Sequence, residues 1–135
     1  MTILEVGHLE RVEKSGKPIT FEGQVEDIPN IGDIDINLKP VAIKRTEKSY
    51  DYDIFVPVEG RKDKKVGEAK VGESENGQYL TLKFSCPAMM DAQRRVVPYY
   101  LTAWADEAAQ PKETSKGKPA IYVIKWSDWS PRNAA

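Results

Sequence analysis

Residues Gly77-Gln-Tyr-Leu-Thr-Leu-Lys-Phe-Ser-Cys86 put an apolar side chain at every second position, with Leu80, Leu82, Phe84 and Cys86 on one side and Tyr79, Thr81, Lys83 and Ser85 on the other. A period of two belongs to a half-buried strand, whereas a helix repeats every 3.6 residues or so. The same alternation runs through Val97 to Trp104 and through Ile121 to Trp126, the latter read with Val123 on the dry side. Toward the amino terminus, Val66 to Val71 reads as a short strand joined to the first by the turn residues Gly72-Glu-Ser-Glu-Asn-Gly77.

Further back, Asp51-Tyr-Asp-Ile-Phe-Val-Pro-Val58 is another strand, ended by the basic loop Glu59-Gly-Arg-Lys-Asp-Lys-Lys65. Ile34 to Leu38 alternates and continues past Pro40 into Val41, Ala42 and Ile43, so the proline marks a bend or an edge. Ile19 to Glu26 sets Ile19, Phe21 and Val25 on one side, where Gly23 predicts a gap or a bulge. Gly7 to Glu13 is the first strand, with Leu9 turned away from His8 and Glu10. Pro87 to Arg95 tolerates one or two helical turns, and Asp106 to Pro119 is polar and aperiodic, as a long mobile loop is. The sum is an all-β chain: a small antiparallel β-barrel or sandwich of about seven strands, seven or eight by count, with little helix. A length of 135 residues suits one core. The expected organisation is a single β domain over 1–127, a long polar loop at 105–119, and a tail over 128–135 that Trp129 pins.

No apolar run approaches the roughly 18 residues that a bilayer requires. The opening Met1-Thr-Ile-Leu-Glu-Val lacks the pattern of a signal peptide, so the expected compartment is the cytoplasm. The single cysteine, Cys86, shares its side with Leu82 and Phe84 and reads as a buried structural thiol. The net charge of −1 hides an asymmetry. Glu5, Glu10, Glu13, Glu22, Glu26, Asp27, Asp33 and Asp35 dominate the first 35 residues, while Lys39, Lys44, Arg45, Lys48, Arg61, Lys62, Lys64, Lys65 and Lys70 dominate the middle. Such a division creates local fields on a nearly neutral protein.

Candidate chemistry is sparse. His8 is the only histidine and sits on the polar side of its strand, where no orienting acid is evident, so a nucleophilic triad has no local support. One histidine and one cysteine do not make a closed zinc site. Asp33, Asp35 and Asn37 share a strand side but stand about 7 Å apart, twice the rise per residue, and form the wet side opposite Ile34, Ile36 and Leu38. Gly67 and Gly72 are not followed by the lysine and hydroxyl residue of a phosphate loop. No catalytic residue, metal or cofactor is expected.

Aromatic and basic residues together carry more. Arg94 and Arg95 lead into Tyr99, Tyr100 and Trp104, while Arg61, Lys62, Lys64 and Lys65, together with Lys112, Lys116 and Lys118, lie in connections that flank a sheet face. Antiparallel sheets hold single-stranded nucleic acid by stacking bases on such rings and pairing phosphates with such cations. Alternation sends Tyr99 and Tyr100 to opposite sides, so one of the two faces outward.

Several of these segments, in order, resemble an uncharacterised bacterial family, the domain of unknown function seven-three-six, found on plasmids and mobile elements of proteobacteria. The matching residues are Gly7 with Phe21-Glu-Gly, Ile36 and Leu38 followed by Pro40-Val-Ala-Ile43, Tyr52-Asp-Ile-Phe55, Val66-Gly-Glu-Ala-Lys70, Gly77 to Phe84 with Pro87, Tyr100-Leu101, and Tyr122-Val-Ile-Lys-Trp-Ser127. The family carries a tryptophan where Lys70 stands, and the segment between Trp104 and Ala120 and the tail after Ser127 are additions here. The resemblance implies a compact cytoplasmic accessory protein of mobile DNA and brings no activity, cofactor or catalytic residue. The expected function is non-enzymatic binding of nucleic acid, single-stranded in preference, through Arg61, Lys62, Lys64, Lys65, Arg94, Arg95, Tyr100 and Trp104. The alternative is an inhibitor of a host factor, such as a defence nuclease complex, that presents the acidic amino-terminal portion or the 106–119 loop. Neither reading involves a membrane.

Overall fold

The computed structural model describes residues 3–41, 49–74, 77–105 and 121–127. Eight strands follow one another: β1 (Ile3–Val12), β2 (Thr20–Ile28), β3 (Gly32–Pro40), β4 (Tyr52–Val56), β5 (Lys64–Ser74), β6 (Gly77–Phe84), β7 (Tyr99–Ala105) and β8 (Ile121–Ser127). Each pairs antiparallel with its neighbour in sequence, and β8 returns to pair with β1, so the sheet is a closed up-and-down barrel. The expected all-β barrel is therefore what forms. The regions at 106–120 and 128–135, which include the long polar loop, Lys112, Lys116, Lys118 and Trp129, lie outside the described residues, as do Lys44, Arg45 and Lys48.

With β1 taken as running upward, the turn between β2 and β3 and the connections 57–63 and 85–98 all lie at the lower end. Inward residues alternate along every strand: Leu9 on β1, Phe21 and Val25 on β2, Ile36 and Leu38 on β3, Ile54 on β4, Ala69 on β5, Leu80, Leu82 and Phe84 on β6, Leu101 and Ala103 on β7, and Tyr122 and Ile124 on β8 are all buried. Eight strands enclose a space just wide enough for side chains to fill. Here Phe21, Tyr52 and Tyr122 meet edge to face inside it, at centroid distances of 5.2 and 5.7 Å from the Phe21 ring. The lower end is stoppered by a single 3-10 turn, Pro87–Met89, whose Met89 is buried, and Asn30 Nδ2 donates to Ala88 O at 3.2 Å across the end. At the upper end the inward Arg11 donates from Nε to Glu13 Oε1 at 2.7 Å and hydrogen-bonds Tyr122, whose hydroxyl donates to Gln78 Oε1 at 3.1 Å.

Closing so small a sheet demands sharp local coiling, and two Val-Gly pairs supply it. Val6 is the extra residue between the rungs Glu5↔Lys125 and Gly7↔Ile124, and Val66 is the extra residue between Phe55↔Lys65 and Ile54↔Gly67. Each bulge adds twist and is followed by an inward glycine. A Cβ on Gly7 would overlap the carbonyl oxygen of Gln24, and one on Gly67 that of Lys83, so only glycine permits the neighbouring strand to fold in so closely.

Several boundaries differ from the sequence expectation, for identifiable reasons. Gly23 pairs with Leu9 without a bulge, although a Cβ there would overlap the carbonyl oxygen of His8, and the irregularity in β2 falls later, between Val25 and Ile28, where Asp27 takes φ 59° and donates its N–H to Asp33 Oδ1 at 3.0 Å. β5 is the longest strand and takes in Lys64 and Lys65, because the bulge at Val66 lets pairing resume on both sides. β7 begins only at Tyr99: Val96 instead bridges Met90, and both Val96 and Val97 are exposed. β3 ends at Pro40. On β8 the dry side is Tyr122 and Ile124, so Val123 faces outward. Cys86 is buried and free, and His8 is exposed on the outer surface beside Val123 and Gln24.

Replacing Gly67 with alanine should therefore cost more than the ~1 kcal/mol of an ordinary glycine substitution. A urea midpoint unchanged from the parent protein would disprove the close approach at this bend.

Candidate nucleic-acid interface

Because the interior is filled, any binding surface lies on the outer wall or the ends. The outward positions of β5 to β8 fall into register as rows. Gly72, Tyr79, Trp104 and Val123 form one row across four strands, Lys70, Thr81, Thr102 and Lys125 the next, and Glu68, Lys83 and Tyr100 a third. The Tyr79 and Trp104 rings meet at 4.7 Å between centroids with a 33° tilt. The Tyr79 ring lies flat over Gly72, where a Cβ would collide with it. Both rings are half-buried, as is Tyr100. A pair of this kind contributes about 0.5–1.5 kcal/mol beyond its buried area.

Cations frame these rings. Lys83 Nζ stands 5.5 Å from the centroid of the Tyr50 ring. Lys70 donates to Ser49 O at 2.9 Å and lies 3.6 Å from Asp51 Oδ2, so part of its charge is compensated. Lys125 is directly opposite Glu5 on β1.

The residues expected from sequence separate into two groups. Tyr100 and Trp104 lie on this wall, and Tyr99 is the inward member of its pair, packed against the core. Arg61, Lys62, Lys64, Lys65, Arg94 and Arg95 gather at the lower end. Lys65 is 3.1 Å from Asp53 Oδ1 and 4.0 Å from Glu68 Oε1, and Arg95 Nε is 3.4 Å from Asp91 Oδ2. Asp91 also accepts the N–H groups of Gln93 and Arg95 at 2.9 Å each, which fixes the loop tip and holds Arg94 at φ 62°. Among the described residues no hydrogen bond, ion pair or cation–π contact joins Arg94 or Arg95 to Tyr100. Tyr79, Lys83 and Lys125 were not among the residues expected to bind, although the alternation of β6 already sent Tyr79 and Lys83 outward. Pairing Tyr79 with Trp104 needs the register of β6 on β7, which no local pattern encodes.

The opposite wall is acidic. Glu5, Glu10, Glu22, Glu26, Asp33 and Asp35 are exposed on β1 to β3, with Glu10 directly across from Glu22. Among the described residues no ion pair relieves Glu5, Glu10, Glu22, Glu26 or Asp35. Like charges on facing rungs oppose pairing, so the buried side of the same strands must hold them together. Among the described residues, no three of His, Cys, Asp and Glu gather to hold a metal ion, and no helix is long and apolar enough to cross a membrane.

Compared with known proteins, the chain matches no described family, no curated protein and no solved structure.

Burial raises the pKa of Tyr122 above 10.0, with Arg11 opposing and Tyr52 adding to the rise; burial does the same for Tyr52, and for Tyr99 with Asp27 adding. A folded value above the unfolded one means that the stabilisation is complete below about pH 10 and is lost as the pH rises through the folded value. The urea midpoint should therefore fall above pH 10 as these phenols are forced to ionise, and absorbance at the tyrosinate band should show Tyr52, Tyr99 and Tyr122 titrating above the ordinary phenol value. Ionisation of these three at the ordinary phenol value while the barrel is still folded would contradict the burial.

Proposed function

We propose that this protein is a non-enzymatic binder of nucleic acid, single-stranded in preference, and that the outer wall of β5 to β8 is the surface it uses. The observation that carries this reading is the Tyr79–Trp104 pair on the outside of the barrel, with Tyr100 on the same wall and Lys83 and Lys125 among them. Ring faces take up unstacked bases without regard to sequence, at about 1–3 kcal/mol per base, and the lysines pair with the phosphates. Lys70, where the resembled family has tryptophan, lies on this wall beside Gly72 and opposite Thr81, a position suited to either stacking or charge. Arg61, Lys62, Lys64 and Arg94 extend the positive field to the lower end, where a strand leaving Tyr100 would pass. The resemblance to an accessory family of mobile elements supports a binding role in the cytoplasm over a catalytic one.

Anisotropy of labelled single- and double-stranded oligonucleotides tests this directly. Single strands should bind more tightly, and raising the salt from about 50 to 200 mM should weaken the complex steeply through counterion release. Trp104→Ala should weaken binding roughly tenfold, the size of one lost stack, and Lys83→Ala with Lys125→Ala should flatten the salt dependence. No complex at low salt removes the proposal.

The acidic wall of β1 to β3 favours a second reading, in which the protein occupies a basic groove of a host factor such as a defence nuclease. Six exposed carboxylates on three adjacent strands, with Glu10 facing Glu22, present a surface of one sign. Under that reading Glu10→Lys with Glu22→Lys abolishes capture of a protein partner and leaves oligonucleotide binding unweakened; loss of oligonucleotide binding alone on changing the β5 to β8 wall returns the first.

A further inference from the structure

All six large apolar side chains exposed among the described residues, Ile3, Leu4, Val58, Met90, Val96 and Val97, sit at the lower end of the barrel. Ile3 and Leu4 carry β1 beyond Gly7, the last rung it shares with β2. Val58 belongs to the 57–63 connection, and Met90, Val96 and Val97 form the stem of the loop whose tip Asp91 fixes. That stem is itself ordered: Met90 and Val96 are bridged, and Val97 donates its N–H to Met89 O at 2.9 Å. Beside it runs a groove of about 290 Å³ between Pro29 and Asn30 on one side and Met90 and Val97 on the other. Single exposed apolar residues are ordinary, but their concentration on one end marks an interaction surface.

The charges around this patch are divided between two halves of the rim. Glu5, Glu26 and Asp27 stand exposed on the side of β1 to β3. Arg61, Lys62, Lys64 and Arg94 stand exposed on the side of the 57–63 and 85–98 connections, where they outnumber the exposed Glu59, and none of the four is in an ion pair among the described residues.

We propose that the lower end is a two-fold interface between two copies of this chain. A two-fold axis through the patch lays apolar on apolar and turns the acidic half of one rim onto the basic half of the other, so one surface is complementary to itself. A partner of a single sign, an anionic lipid surface included, leaves one half of the rim opposed by like charge. The dimer leaves both outer walls free but engages Arg61, Lys62, Lys64 and Arg94, so a nucleic-acid strand on the β5 to β8 wall would not extend over the lower end of the dimer; the test contains no oligonucleotide, and its failure is therefore distinct from failure of the nucleic-acid reading.

Sedimentation of the whole chain over about 1 to 200 µM decides the matter, with a dissociation constant in the micromolar range expected. The mass should rise to twice 15.2 kDa. Met90→Asp with Val97→Asp, two exposed positions, should raise the dissociation constant at least tenfold while the far-ultraviolet circular dichroism is unchanged. An acidic variant (Arg61→Glu, Lys62→Glu, Arg94→Glu) and a basic variant (Glu5→Lys, Glu26→Lys) should each be monomeric alone and dimerise when mixed. A monomer throughout the range, a dimer indifferent to the Met90 and Val97 changes, or failure of the two charge variants to pair overturns the proposal. So does a monomer that co-sediments with anionic vesicles, which assigns the patch to lipid.

Discussion

The ladder between β1 and β8, from Ile3↔Ser127 to Glu10↔Ile121, is the constraint on which the structure depends. It joins the first described strand to the last and removes the open edges that an eight-stranded meander would otherwise expose. Once those two strands pair, every strand has an inside and an outside. The inward row becomes one continuous core, and the outward rows become two walls of opposite character. The two bulges, at Val6 and Val66, are the geometric condition for that closure. One lies within the closing ladder and the other in the β4–β5 ladder, four strand pairings away around the barrel.

A filled interior limits what the molecule does. Barrels of this size that carry ligands inside need an open mouth and an unfilled lumen, whereas here Met89 stops one end and the Arg11, Glu13, Tyr122 and Gln78 network the other. The inward, partly buried Arg11 works as part of the closure: its guanidinium joins the buried Tyr122 phenol to the exposed Glu13 carboxylate at the mouth of the barrel. The side chains free of the core's packing demands are therefore those on the outside of the barrel and at its ends. The half-buried Tyr79–Trp104 pair contributes to stability from the outside, whereas the facing carboxylates Glu10 and Glu22 work against it.

The two walls also bear on each other. Lys70, Lys83 and Lys125 stand on one wall and the carboxylates of β1 to β3 on the other, so the barrel presents side chains of opposite sign on its two sides. The same division of charge recurs at the rim of the lower end. One asymmetry in the linear sequence, acids early and bases in the middle, thus acts in both places because the meander topology maps position along the chain onto angle around the barrel.

The alternation of Leu80, Leu82 and Phe84 against Tyr79, Thr81 and Lys83 determined by itself that this chain is β, which side of β6 is dry, and that Cys86 is buried. Period-two burial is a local property of a pleated strand, so it is written locally. Ends were less legible: Val96 and Val97 look like strand residues but serve a loop stem, and Lys64 and Lys65 look like loop residues but pair in β5, because hydrogen-bonding partners and not side-chain type decide where a ladder stops. Val123 was placed on the wrong side: in Ile121-Tyr-Val-Ile-Lys-Trp126 both sets begin with apolar residues, and Lys125, which shares a side with Val123, was the one local sign that this side is wet. Of the candidate site, Tyr100 and Trp104 were readable as an aromatic cluster near basic residues. The meeting of Tyr79 with Trp104, the Glu10 and Glu22 pairing, and the gathering at one end of the large apolar side chains exposed among the described residues were decided by tertiary structure alone, because each joins residues whose proximity depends on which strands pair and in what register.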